Sequence, residues 1–233
     1  PSLSCIVQGA IGAKCACVDV NAACSGFIYA LDMADDRLKS GKAKNILVLG
    51  AEEPTRMVDW SDRSLCVLFG DGAGAVVVTE GDGLICSRLT TTSKVDCLHY
   101  VRRLEPTPYI TKEEYSGPMY MNGKEVFKTA VLSSSRDIKT LLDKAGLAPS
   151  DIKYYVLHQA NMRIIEAVAN YLKLDLSYFP TNVERCGNTS SASVPMLLDE
   201  LAREGKLQRG DKLLLSAFGA GFTTGACIIE WNK

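Results

Sequence analysis

Three residues of this chain combine reactive chemistry with a shared kind of position: Cys24 in "VDVNAACSGF", His158 in "VLHQANMRI" and Asn188 in "RCGNTSSASV". Each stands at a corner where a strand-like or small-residue stretch gives way to a helical pattern, and such corners turn side chains toward a cleft. The thiolate is the nucleophilic form of cysteine. A cysteine opening a helix gains from the helix dipole and the free N–H groups there, which lower its pKa from about 8.5. Its neighbours Ala22, Ala23, Ser25 and Gly26 are small and leave room around the thiol, where larger residues would block attack. Taken singly, the three residues also have ordinary readings as a buried thiol, a satisfied core histidine and a turn asparagine.

The elements that must position them are legible from periodicity. Residues 17–20 suit a short strand, after which Phe27, Leu31, Ala34 and Leu38 recur at helical spacing until Gly41 stops the helix. "AKNILVLGAEE" reads as a buried strand, and "LFGDGAGAVVVTE" as a glycine-rich turn entering another. Residues 84–120 look irregular, with Pro106, Pro108 and Pro118 and mixed charges. Val126, Phe127, Ala130, Val131, Ile138, Leu141, Leu142 and Ala145 trace one helical face ending at Gly146. "IKYYVL" is a strand that His158 closes, and Asn161 is the N-cap of the helix that follows. "FPTNVE" reads as a short strand, residues 195–203 as a helix, and "DKLLLSAFGAGFTTGACIIEW" as strand, glycine turn and strand.

Two stretches repeat this order, one around Cys24 and one around Asn188. Counting seventeen residues back from Gly41 and from Gly205 lands on Cys24 and Asn188. A duplicated β/α unit with polar residues at matching corners implies two halves related by a pseudo-twofold, with a site at their junction. Carried backwards, the repeat assigns the helix at residues 126–145 and the strand ending at His158 partners before Pro1. The first half is therefore expected to be truncated, lacking an N-terminal helix and its flanking strands.

Composition limits the function classes. The chain has 233 residues, 47% of them hydrophobic, which is enough for one large domain or two smaller ones. A net charge of -1 offers no general attraction for nucleic acid. No apolar run approaches the roughly 18 residues of a membrane span. Nine scattered cysteines, an odd number, point to a reducing compartment. With no CxxC pair and two histidines, His99 and His158, a closed zinc site is not expected. Cys15 and Cys17 are expected to share one face of a strand as small core hydrophobes. No signal or transit sequence is read at the start, so a cytoplasmic location is expected.

Together, "NAACSGF", "LHQANMRI" and "GNTSSASVP" resemble the three motif segments of β-ketoacyl-[acyl-carrier-protein] synthase III, and "FGDGAGAVVV" and "SAFGAGFTTGA" match that family's glycine turns. The resemblance implies an α/β, thiolase-like fold, layered αβαβα with two pseudo-symmetric halves. On that basis residues 1–83 are the remainder of the N-terminal half with the nucleophile, 84–122 a connecting excursion, and 123–233 the C-terminal half with histidine and asparagine. It also implies decarboxylative condensation of an acyl-coenzyme A primer with malonyl-[acyl-carrier-protein], starting fatty-acid synthesis, in a homodimer. No metal or redox cofactor is needed, and coenzyme A enters as a substrate thioester.

By the same resemblance Cys24, His158 and Asn188 are catalytic. His158 and Asn188 supply donors to the enolate oxygen, and the backbone N–H groups of Cys24 and Ala220 form the oxyanion hole. Arg63, Gly123, Phe127 and Asn161 line the coenzyme A tunnel, while Lys128 and Arg163 flank its mouth and attract the acidic carrier protein. Cys186 stands beside "GN" where the family more often has an aromatic or histidine residue.

Other readings are weaker. A biosynthetic thiolase would use a second cysteine as base. A papain-like protease shares the chain order Cys, His, Asn but needs its own motif around the nucleophile. A dinucleotide site at "GDGAGA" would need a helix where "VVVTE" reads as strand. A related polyketide enzyme, or a fold-retaining chain without turnover, are the alternatives left open.

Overall fold

The computed structural model describes residues 1–100 and 119–233. Pro106, Pro108 and Pro118 lie outside the described residues.

The chain opens with α1 (Leu3–Ala10), whose N-cap is Ser2. A 3-10 turn, Ala23–Ser25, leads into α2 (Gly26–Lys39), and β1 (Asn45–Glu52) and β2 (Gly72–Thr79) follow as an antiparallel pair. Next come β3 (Leu84–Thr91) and the short β4 (Leu98–His99) and β5 (Tyr120–Met121), which pair with each other. The long α3 (Gly123–Ala145) is capped by Asn122 and ended by Gly146 in the left-handed conformation, φ 65°. Then follow β6 (Tyr154–Leu157), α4 (Met162–Leu172), α5 (Val183–Cys186), α6 (Ser193–Arg203), β7 (Lys212–Gly219) and β8 (Thr223–Glu230).

Four strands form the larger sheet in the order β3-β8-β7-β6, with β6 parallel to β7 and the other neighbours antiparallel. Its inner strands β7 and β8 are buried on both faces, which explains the unbroken apolar run of β7. Leu213 and Leu215 point to one face and pack with Phe27, Leu31, Leu197 and Leu201 of α2 and α6. Leu214 points to the other face and packs with Ile138 and Leu141 of α3 and Ile165 and Val168 of α4. Fully burying each such side chain contributes about 1.5–3 kcal/mol. Asp137, buried in the middle of α3, is held by Arg88 of β3 at 2.9 Å and by the Thr224 hydroxyl of β8 at 2.7 Å, which ties that helix to the sheet.

The layer order is thus β1-β2, α2 with α6, the four-stranded sheet, and α3 with α4. On the outer face of the β1-β2 pair, Leu47 and Val77 are 42% and 67% exposed. The described residues build four layers of the expected five. No helix among them is long and apolar enough to cross a membrane.

Several expectations are corrected. Residues 17–20 form no strand, because no neighbouring strand among the described residues supplies them with hydrogen bonds. Cys15 and Cys17 are exposed, not core. The first part of the supposed excursion is β3, a full partner of β8. "FPTNVE" is not a strand: the backbone N–H groups of Asn182 and Val183 donate to the Gln159 side-chain carbonyl, and the chain turns into α5. Phe127 is 38% exposed, off the core face assigned to it.

The two halves do repeat, and the structure refines their register. Gly41 and Gly205 both follow a helix end with φ 69°. However, α6 has 11 residues against 14 in α2. Matching the 3-10 turns Ala23–Ser25 and Ser190–Ala192 therefore places Cys24 opposite Ser191, and Asn188 lies before the turn.

Candidate active site

Cys24 sits in the 3-10 turn that starts α2, at the wall of a cavity of about 1030 Å³. Ala23 beside it has φ 49°, an uncommon conformation for a residue with a side chain. The turn is held by the first residue of β8. Ser25 donates to the Thr223 hydroxyl at 2.8 Å, and that hydroxyl donates to the Ala22 carbonyl at 2.8 Å. Gly219, the last residue of β7, allows this approach: a Cβ there would lie 2.6 Å from the Cys24 nitrogen.

His158 follows β6, and its backbone N–H donates to the Ser216 carbonyl of β7 at 2.8 Å. Its ring meets Phe218 edge-on at 5.3 Å. Nδ1 is 2.7 Å from the Ser193 hydroxyl, while Nε2 is buried without a partner among the described residues. Burial lowers the imidazole pKa to about 3, so the ring is neutral at ordinary pH.

Asn188 is fixed by backbone bonds to the segment before β2: its N–H donates to the Leu68 carbonyl at 2.8 Å, and its carbonyl accepts from Gly70 at 3.1 Å. Its side-chain oxygen accepts the Ser190 N–H at 2.9 Å, which leaves the amide hydrogens as the donors it can offer. The Ser190 hydroxyl donates to Cys24 Sγ at 3.4 Å. The two corners are therefore joined through Ser190.

The cavity is lined by Cys24, His158, Asn188 and Ala220, and also by Gly123, Phe127, Asn161 and Arg163. Arg63 and Lys128 are exposed and do not line it. Asn161 caps α4, its side chain accepting from the Arg163 N–H at 2.9 Å. Among the described residues there is no group of three metal-ligating side chains.

The electrostatics differ from the expectation at Cys24. Burial raises its pKa to about 11; the Ser190 hydroxyl opposes that rise and the negative charge of Glu52 adds to it. Desolvation thus outweighs the helix start, and the resting group is a thiol. Glu52, at the end of β1, lines the cavity and accepts from the Ser191 hydroxyl at 2.6 Å. Sequence reasoning missed Glu52, Ser190 and Ser193; the one visible signal was an acidic pair closing the apolar run "NILVLGAEE".

Residues 18–93 match the family model for 3-oxoacyl-[acyl-carrier-protein] synthase III, and residues 142–231 match the model for its C-terminal part. A β-ketoacyl-[acyl-carrier-protein] synthase III of Clostridium novyi (strain NT) is 47% identical over 242 aligned positions, covering 100% of this chain and 73% of the relative. The chain belongs to the 3-oxoacyl-[acyl-carrier-protein] synthase III family.

The crystal structure of the synthase III from Aquifex aeolicus VF5 superposes with a TM-score of 0.90 at 44% identity, over 99% of this chain and 72% of that one. The priming β-ketosynthase of the R1128 polyketide pathway superposes with a TM-score of 0.90 at 35% identity, over 100% and 71%. The α/β thiolase-like architecture of synthase III, with two similar halves, is therefore the fold of this chain. The spans shared with these synthase III relatives include all three corners.

Proposed function

We propose that this synthase III chain catalyses decarboxylative condensation of an acyl-coenzyme A primer with malonyl-[acyl-carrier-protein], giving 3-oxoacyl-[acyl-carrier-protein] at the start of fatty-acid synthesis. Cys24 Sγ attacks the thioester carbonyl of the primer. The bond to coenzyme A sulfur breaks, and coenzyme A leaves as its thiol with the proton that Cys24 gives up. During attack the carbonyl oxygen carries negative charge, which the backbone N–H groups of Cys24 and Ala220 face.

In the second half-reaction the malonyl thioester loses CO₂, and the electron pair passes to an enolate. His158 Nε2–H and the Asn188 amide donate to its oxygen. The nucleophilic carbon then attacks the acyl carbonyl on Cys24, the carbon–sulfur bond breaks, and the departing thiolate takes a proton from solvent to restore the resting thiol. Both donors are neutral, so each is strongest where water is excluded and charge appears only as bonds change. The observation that carries this reading is the convergence of Cys24, His158 and Asn188 on one cavity, with His158 Nε2 unpartnered among the described residues.

Gly123, Phe127 and Asn161 line the way in for the coenzyme A and phosphopantetheine arms. Arg163 at the cavity, with Arg63 and Lys128 on the exposed surface, attracts their phosphates and the acidic carrier. The working unit is a cytoplasmic homodimer. A polyketide carrier as acceptor is the second reading, favoured by the likeness to the R1128 priming enzyme. Supplying acetyl-coenzyme A with malonyl thioesters of a fatty-acid carrier and of a polyketide carrier tests both. Product on the first carrier supports the main reading, product on the second alone supports the alternative, and product on neither refutes both.

A further inference from the structure

Ser193 opens α6 from outside the cavity lining, yet it is almost wholly buried and touches the ring that faces the cavity. Its oxygen accepts the Gln159 backbone N–H at 3.3 Å and lies 2.7 Å from His158 Nδ1. A neutral imidazole carries one N–H, so two proton arrangements compete. If Nδ1 held the proton, the serine oxygen would accept two N–H groups, its own proton would find no acceptor among the described residues, and Nε2 would present a lone pair to the cavity. If Nε2 holds it, the serine accepts from Gln159 and donates to Nδ1, and the one group left over is an N–H aimed at the site.

We infer that Ser193 is a positioning residue that fixes His158 as the Nε2–H tautomer, its hydroxyl donating to Nδ1, so that the ring meets the substrate as a donor. The choice of serine matters. A carbonyl or carboxylate at Nδ1 can only accept and imposes the opposite tautomer, whereas a hydroxyl can donate and accept at once. The surroundings hold this geometry: Gln159, fully buried, donates to the Leu157 carbonyl at 2.8 Å and accepts from Asn182 and Val183. The catalytic consequence rests on the reading of His158 as an enolate-oxygen donor; the tautomer itself does not.

The tautomer is read directly from two-bond proton–nitrogen correlation spectra of protein labelled with ¹⁵N-histidine. The chain has two histidines, so His158→Gln assigns the signals. At neutral pH the wild-type His158 is expected to be protonated at Nε2; protonation at Nδ1 overturns the assignment, whatever happens to any variant. Ser193→Ala should populate the other tautomer and lower kcat for malonyl-thioester decarboxylation by about ten- to a hundredfold with KM and Cys24 acylation little changed. Ser193→Thr, which keeps the hydroxyl, should restore both. A Ser193→Ala protein that keeps Nε2–H refutes the role of the serine. Wild-type Nε2–H together with full decarboxylation by His158→Ala would support the assignment and refute the reading of His158 as the donor to the enolate oxygen.

Discussion

Gly219→Ala isolates the contact that sets the nucleophile in place. Gly219 carries no positive φ, so alanine meets no backbone penalty there. Its Cβ would lie 2.6 Å from the Cys24 nitrogen, 2.9 Å from Ala23 Cβ and 3.0 Å from the Ala22 carbonyl oxygen. None of these atoms can swing aside by a rotamer change. Reaching an ordinary 3.4 Å contact with the nitrogen requires a retreat of 3.4 − 2.6 = 0.8 Å. Overpacking of this kind costs about 1–3 kcal/mol of stability, which a core of this size tolerates. A misplacement near 1 Å at a reacting group costs about a hundredfold in rate. The assay is the time course of Cys24 acetylation by acetyl-coenzyme A, followed by peptide mass spectrometry, with thermal melts to show that the variant is folded. Gly9→Ala is the control, since a Cβ there meets nothing within 4 Å. A folded Gly219→Ala protein acylated at the wild-type rate would refute the idea that the approach of β7 positions Cys24.

Further outcomes follow from the same geometry. His158→Ala and Asn188→Ala should leave Cys24 acylation near wild type and cut malonyl decarboxylation by about a hundredfold or more each, in a carbon dioxide release assay. His158 is held neutral in the fold with a pKa near 3 against 6.5 for the free group. The unfolded chain therefore binds a proton that the folded one refuses, and stability falls as pH drops from 6.5 toward 3, by up to about 5 kcal/mol. Urea titrations at pH 7 and pH 4 should show that loss shrink in His158→Gln. Alkylation of Cys24 by iodoacetamide should rise with pH up to about 11. Glu52→Gln should speed it at pH 8 by about two- to tenfold, because the carboxylate charge disfavours the thiolate.

The corners were legible because local pattern decides them. An apolar strand ending at His158, an N-cap at Asn161 and small residues around Cys24 and Asn188 are visible within ten residues of each site. Strand β3 was not legible, since Arg88 and Thr90 break the apolar pattern and their partners, the buried Asp137 and Thr224, are distant in sequence. The "FPTNVE" segment failed for a related reason: its N–H groups are taken by the side chain of Gln159, a partner no period announces. The repeat was real, but a length difference of three residues between α2 and α6 moved the true counterpart of Cys24 to Ser191. The thiol's pKa was misjudged because burial and the charge of Glu52 are tertiary facts, whereas the helix start is a local one.

The central claim is that one of nine cysteines carries the acyl group. Incubation with acetyl-coenzyme A followed by peptide mapping of the acetyl mass tests it most directly. Modification is expected at Cys24 alone, absent in Cys24→Ser; acetylation of another cysteine in place of Cys24, or of none, would overturn the assignment.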